Sequence, residues 1–564
     1  MSELRYCVDS SERLAHDYLV TLTVPAPAEG QIFSLPSWIP GSYLLREFAK
    51  QLSDLTAEQG GTLVDVQQLD KSSWRVDCRA NEPLVLCYRV HAFDTSVRTA
   101  WLDARRGFFN GTSLFLRVHG QEAQPHEVEL TGLPDGWRVA TAMPSSEGSV
   151  DAQRYAAADY DELVDHPFEF GDFWSGEFSA AGVPHQIVVA GAWPSFDGAR
   201  LLADVQRICE TQIAFWGEAP FQKYVFLLNC VEEGGGGLEH RASTALLAPR
   251  RELPRIGLAE IADGYANLLS LFSHEYFHAW NVKRLRPAEL ARYDYQRENY
   301  TELLWFFEGF TSYYDELMLL RAGLIDAPRY LKMLAKTVNG VLATPGRKQH
   351  SLAAASFEAW TKFYRPDEHT PNLTISYYGK GALVALALDL RLRATGSTLD
   401  DMMRSLWQSS GGGPVSEADI LAAAKEQGSE LSMWVHGTMD LPLRELLDPV
   451  GVSWREDAAS LAPRLGLKTS ESALTGIQVK QVFSASAALA AGLSPGDEIL
   501  GCAGWRIRRL DDALALITAG EKQFDLLVSR DQRLMTVTVA LPEIASGTVL
   551  LGVADHAAIK AWLS

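Results

Sequence analysis

The chain has 564 residues, 47% of them apolar and 22% charged. That is ordinary globular usage spread over several times the usual domain length of about 100 to 200 residues, so three or four folded domains are expected and a disordered chain is excluded. The formal charge is −20, from 51 basic and 71 acidic residues, with no long basic stretch, which argues against nucleic acid and anionic membrane as partners.

The first residues carry Glu3, Asp9, Glu12 and Asp17 and lack the basic start and apolar stretch of a signal peptide, so a cytoplasmic protein is expected. No apolar run approaches the roughly 18 residues that span a bilayer. The six cysteines are widely spaced and read as reduced thiols. Residues 1–190 show short alternating runs such as Leu19 to Val24 and Leu84 to Val90, punctuated by Pro and Gly, which predicts a β-rich domain of sandwich type. Lys223 to Cys230 reads as a buried strand, followed by Glu232, Glu233 and the glycines Gly234 to Gly237. Two apolar helices are expected over roughly Ile261 to Trp280 and Tyr300 to Leu320. Residues 191–325 hold these features and 326–455 keep helical periodicity, predicting an α-helical domain. Residues 456–545 alternate strands with short helices in an order that resembles a PDZ domain, with Leu465, Gly466 and Leu467 as its candidate carboxylate-binding loop, and 546–564 form a C-terminal extension.

His274-Glu275-Tyr276-Phe277-His278 is an H-E-x-x-H motif, which on a helix puts both imidazoles on one face, within reach of one ion. Chance would supply roughly 0.04 such motifs in a chain of this composition. Glu275 lies in the apolar run LLSLFSHEYFHAW, where a carboxylate is costly unless a cation compensates it. Its place beside the two histidines suits it to activate a water. A zinc site of this class takes a third protein ligand, and Glu308, 30 residues after His278 in TELLWFFEGFTSYYDE, is the candidate. The competing reading of Glu308 is a solvated residue at a kink near Gly309. Gly236 and Gly237 would let an extended peptide approach the backbone, with Glu239 and His240 where that peptide would end; a flexible hairpin with surface charges is the alternative.

GGGGLEH, HEYFHAWNVKRLRP, WFFEGFTSYYDE and SYYGKGALV, followed by the PDZ-like region, resemble the glycyl aminopeptidase family of zinc metallopeptidases over nearly the whole chain. The N-terminal segment Trp38-Ile39-Pro40-Gly41-Ser42-Tyr43 supports the resemblance. It implies a multidomain α+β chain: a β-sandwich-like N-terminal domain, a thermolysin-like zinc catalytic domain, an α-helical domain and a C-terminal PDZ domain. It also implies zinc on His274, His278 and Glu308, Glu275 as base, and removal of N-terminal Gly or Ala from peptides with a free N-terminus. By similarity to the larger aminopeptidase N family, Glu239 would bind the α-amine; His240 stands where that family has Asn. Tyr378, in Tyr378-Gly379-Lys380-Gly381, matches a tyrosine that stabilises the tetrahedral intermediate, with Tyr377 as its rival. Arg284 and Arg286 could bind a substrate carboxylate or be structural. The other readings are an endopeptidase guided by the PDZ domain and an inactive peptide-binding scaffold. The PDZ domain itself could hold a peptide C-terminus or make a self-contact, and the oligomeric state is open.

Overall fold

The computed structural model describes residues 3–146, 153–543 and 547–563. The chain divides into two compact units, one of Met1–Tyr300 with Arg321–Leu324 and Leu406–Ser416, the other of Thr301–Leu320, Ile325–Ser405 and Glu417–Ser564.

The first unit begins with a seven-stranded sheet in the order Arg154–Ala157, His126–Thr131, Leu4–Asp9, Asp17–Val24, Leu84–His91, Leu52–Gln59, Thr62–Val64. Burial alternates strictly along Asp17–Val24 because successive side chains point to opposite faces, and only one face meets the core. Two four-stranded sheets close over that face, and Tyr6, Tyr18, Phe109 and Phe115 fill the space between them.

A five-stranded sheet follows, ordered Trp174–Ala180, Val183–Ala190, Tyr224–Val231, Ser243–Pro249, Gly236–Glu239. The sheet thus begins upstream of the boundary read from sequence at residue 190. Val183–Ala190 is buried continuously from Ile187 to Ala190 rather than alternating, and it pairs in parallel with Tyr224–Val231 across the crossover helix Gly198–Trp216. Asp197 caps that helix by accepting from the Arg200 amide, and Gly217 ends it at φ 88°. Among the described residues Gly236–Glu239 pairs only with Ser243–Pro249 and so forms an edge of the sheet.

The apolar run before the H-E-x-x-H motif forms a helix over Asp263–Phe277, shorter at both ends than the sequence suggested. Gln212 of the crossover helix, fully buried, donates to the Ser273 carbonyl at 2.8 Å and its hydroxyl at 2.9 Å, which fixes the helix one residue before His274.

In the second unit the expected helix over Tyr300 to Leu320 is two, Leu304–Phe307 and Gly309–Arg321, with Glu308 at the break. The Cα of Gly309 packs against Gly381 so closely that a Cβ would fall 2.5 Å from the Gly381 Cα. Backbone contact there seats the segment carrying Glu308 on the helix Tyr377–Ala394. The helix Ala327–Leu342 presents Asn339, whose amide donates to the Val549 carbonyl and whose carbonyl accepts from the Val549 amide, both at 2.8 Å. Val549 lies in Gly547–Val553, which pairs antiparallel with Val452–Ala458. The stretch read from sequence as an extension is therefore a strand and a helix, His556–Leu563, tied to the helical region by a long-range pairing. Between these paired strands lies a small mixed domain with the strands Leu467–Ser472, Gly476–Val482, Glu498–Cys502, Gln523–Arg530 and Arg533–Ala540 and a core of its own.

Candidate metal centre and peptide site

His274 and His278 stand one turn apart at the end of the helix Asp263–Phe277, with their Nε2 atoms 3.0 Å apart and their rings perpendicular. The Nδ1 of His278 donates to the Asn281 carbonyl at 2.8 Å, so its Nε2 is the bare nitrogen. Two ring nitrogens at this distance repel unless a proton or a cation lies between them. Tetrahedral zinc, with bonds of about 2.0 to 2.1 Å, would hold two nitrogens about 3.3 Å apart. His274, His278 and Glu308 form a group able to hold a metal ion, their ligand atoms all within 4.8 Å of one another. Two imidazoles and a carboxylate are a donor set that zinc accepts, so the residues present fit the metal. Glu308 is 2% exposed, which goes against the solvated reading.

Glu275 is 5% exposed, and its carboxylate lies over the backbone of Gly237 on the edge strand. Glu239, 4% exposed, lies in the same way over Gly41, whose φ of 93° and whose approach to the carboxylate both require glycine: a Cβ there would meet Oε1 at 2.5 Å. Gly41 is held by its loop, because the Ser37 amide donates to the Tyr295 carbonyl at 2.7 Å and the Trp38 indole donates to the Asp294 carbonyl at 2.8 Å. The N-terminal segment that sequence reading used only to support a resemblance therefore forms the floor beneath Glu239.

His240 does not join Glu239 at the edge. It is buried, with Nδ1 3.4 Å from Asp165 Oδ1, and burial lowers its pKa. Asp165 also takes Lys283 Nζ at 2.7 Å and the Arg241 amide at 2.8 Å. Burial by itself would raise the Asp165 carboxyl, but Lys283, His240 and Arg241 outweigh it and hold it well below the usual carboxylate range. This ion pair links the residues after Glu239 to the loop after His278. In that loop Val282 adopts φ 131°, an outlier for a β-branched residue that persists only where its surroundings over-determine it. Sequence reading missed Asp165 entirely, since a lone Asp after a short helix carries no signal.

Arg284 is taken up by backbone carbonyls. Its guanidinium donates to the carbonyls of Arg241, Ala279 and Pro220, and burial pulls its pKa down to about 10. Arg286 donates to the Lys283 carbonyl and lies over the Tyr293 ring. Tyr377 is fully buried and stacks on Tyr378, which is half-buried at the first turn of the helix Tyr377–Ala394. Gly466 adopts φ 76° and its carbonyl accepts from the Phe483 amide, while Leu465 and Leu467 are buried. Among the described residues no helix is long and apolar enough to cross a membrane.

Comparison with known proteins bears on this arrangement. The family model described as Peptidase M61 N-terminal domain matches residues 5–172, and that described as M61 glycyl aminopeptidase matches residues 267–384. No curated protein sequence matches. The crystal structure of an aminopeptidase N family protein from Idiomarina loihiensis is 37% identical over 100% of both chains, with a TM-score of 0.95. An M1 zinc metallopeptidase from Deinococcus radiodurans is 18% identical, covering 78% of this chain and 94% of its own, with a TM-score of 0.48. The close full-length match and the two family matches make this chain a peptidase, and it belongs to the M61 glycyl aminopeptidase family of zinc metallopeptidases.

Proposed function

We propose that this peptidase is a zinc-dependent aminopeptidase that removes small N-terminal residues, Gly and Ala, from peptides. The observation that carries the reading is the buried Glu239 carboxylate at the end of an edge strand whose neighbour Gly237 supports Glu275. An edge strand offers unpaired amides and carbonyls to an extended peptide, and a carboxylate at its end suits an α-ammonium.

His274, His278 and Glu308 would hold the zinc, and when bound it would supply an activated water with a pKa near about 7 and polarise the scissile carbonyl. Gly236 and Gly237 admit the peptide backbone. Glu239 fixes the ammonium, so the first peptide bond is the one presented to Glu275. Glu275 takes a proton from the attacking water and returns it to the leaving amine. Tyr378, more exposed than Tyr377, donates a hydrogen bond to the developing oxyanion. His240 acts one step back, beside the Asp165 and Lys283 pair that sets the strand end bearing Glu239. A cytoplasmic location fits this reading.

The small mixed domain is read as PDZ-like, because Leu467–Ser472 is the end strand of its sheet and follows the left-handed turn at Gly466. A peptide C-terminus or a second copy of the chain are its candidate partners.

The test is hydrolysis of matched Gly- and Ala-initiated peptides, free and N-acetylated, by the wild type with and without chelator and by Glu275→Gln. Cleavage confined to free peptides and lost with chelator and substitution supports an aminopeptidase. Efficient cleavage of blocked peptides would make it an endopeptidase, and no metal-dependent cleavage would leave a binding scaffold.

A further inference from the structure

Arg98 stands beside the glycine edge. Its Nη2 donates to the Gly237 carbonyl at a long 3.4 Å, and a Cβ on Gly236 would fall 3.6 Å from its Nη1. The Nε of Arg98 is buried without a hydrogen-bond partner, and among the described residues no carboxylate pairs with it. A half-buried guanidinium with one long bond to a neutral oxygen is under-used, since five donors in a planar fork match a carboxylate far better. Its placement is nevertheless fixed. Asn110, fully buried, donates from its side-chain amide to the carbonyls of Val97 at 2.8 Å and Thr99 at 3.3 Å, clamping the backbone on both sides of Arg98.

The strand geometry says what this guanidinium faces. The His240 amide donates to the Ser243 carbonyl across the hairpin. By the alternation of antiparallel pairs, Leu238 and Gly236 also turn inward, while Gly237 and Glu239 turn their backbone groups to the open edge. The Arg98 guanidinium thus occupies the position on the Gly237 carbonyl that the N–H of an added strand would use. A strand advances about 3.4 Å per residue, so a peptide anchored by its ammonium at Glu239 and running antiparallel reaches Gly237 after about two residues.

We propose that Arg98 is a specificity-determining residue that binds the C-terminal carboxylate of di- and tripeptides, making short free-acid peptides the preferred substrate class. The inference rests on the reading of Glu239 as the ammonium site. The peptide takes the Gly237 carbonyl, and the released guanidinium pairs with the terminal carboxylate two or three residues along.

The experiment compares Gly-Ala and Gly-Ala-Ala as free acids, as C-terminal amides and as N-acetylated free acids, with wild type, Arg98→Ala and Arg98→Lys. Binding of the free acids and amides to Glu275→Gln protein, with and without Arg98→Ala, is measured alongside by calorimetry. Wild type should favour the free acids over the amides about tenfold, mainly through KM, the loss expected for one charge-assisted pair. Arg98→Ala should erase that preference while leaving the amides within about twofold, and Arg98→Lys should keep part of it. Calorimetry should show the same acid-to-amide ratio and the same loss, so the proposal is tested even without turnover. Indifference of the wild type to amidation, or an equal fall of acids and amides in Arg98→Ala, would overturn it. Cleavage of acetylated peptides with an Arg98-dependent acid preference would instead overturn the ammonium site and leave the carboxylate site standing.

Discussion

The carboxylate of Glu275 rests on the α-carbon of Gly237, so that a methyl group on Gly237 would occupy the space of the Glu275 Cγ, Cδ and Oε1. The proposed base and the edge strand proposed to bind peptide are thereby one packed unit, and any side chain added at Gly237 must displace the Glu275 carboxylate.

Gly237→Ala isolates that contact, because Gly237 does not adopt the left-handed backbone that would strain alanine in its own right. Displacement of the base by about 1 Å should lower kcat about 100-fold. Far-UV circular dichroism and the melting temperature should stay close to wild type, which separates a misplaced base from a misfolded chain.

Glu239 and Gly41 are expected to act together. Glu239→Ala should raise KM for free-amine peptides about 10- to 100-fold, the worth of a hydrogen bond to a charged group, with a smaller change in kcat. Gly41→Ala should move KM in the same direction, since its Cβ would meet the Glu239 carboxylate at 2.5 Å. Steady-state kinetics on one Gly-initiated peptide decides, and an unchanged KM in both variants would remove Glu239 from the amine site.

Metal content tests the ligand set without any substrate. Elemental analysis of the purified chain should find about one zinc per chain, and His278→Ala and Glu308→Gln should each lose most of it. Chelation should lower the melting temperature and added zinc should restore it, because a ligand that binds only the folded state stabilises it.

Tyr378→Phe should reduce kcat about 100- to 1000-fold with little change in KM, the signature of a donor used only in the transition state. Tyr377→Phe should leave kcat nearly intact. The reverse pattern would assign the oxyanion donor to the buried ring.

Asp165 gives a stability prediction with a sign. Its folded pKa lies below its unfolded value, so its contribution is present above the ordinary carboxylate pKa of about 4 and fades as the pH falls through the lower folded value. At neutral pH Asp165→Asn should destabilise by about 3 to 5 kcal/mol, because it leaves the buried Lys283 ammonium uncompensated. The gap between wild type and variant in denaturant titrations should narrow steadily below about pH 4.

What the sequence by itself determined is what short-range periodicity and unusual local composition encode. His274 and His278 share a face because four residues make roughly one helical turn, and Glu275 and Glu308 stand out because carboxylates are rare in apolar runs. The run of glycines before Glu239 marks a backbone that something approaches. The strand at Tyr224–Val231 and the alternation in Asp17–Val24 were legible for the same reason. The tertiary structure alone decided the pairings between distant segments: Gly41 beneath Glu239, Arg98 on Gly237, Asp165 with Lys283, and Gly547–Val553 beside Val452–Ala458. Each of these depends on which loops and strands the folded chain brings side by side. No local pattern carries that information, because the partner that makes a residue important lies far away in the chain and reaches it only once both segments are buried or paired.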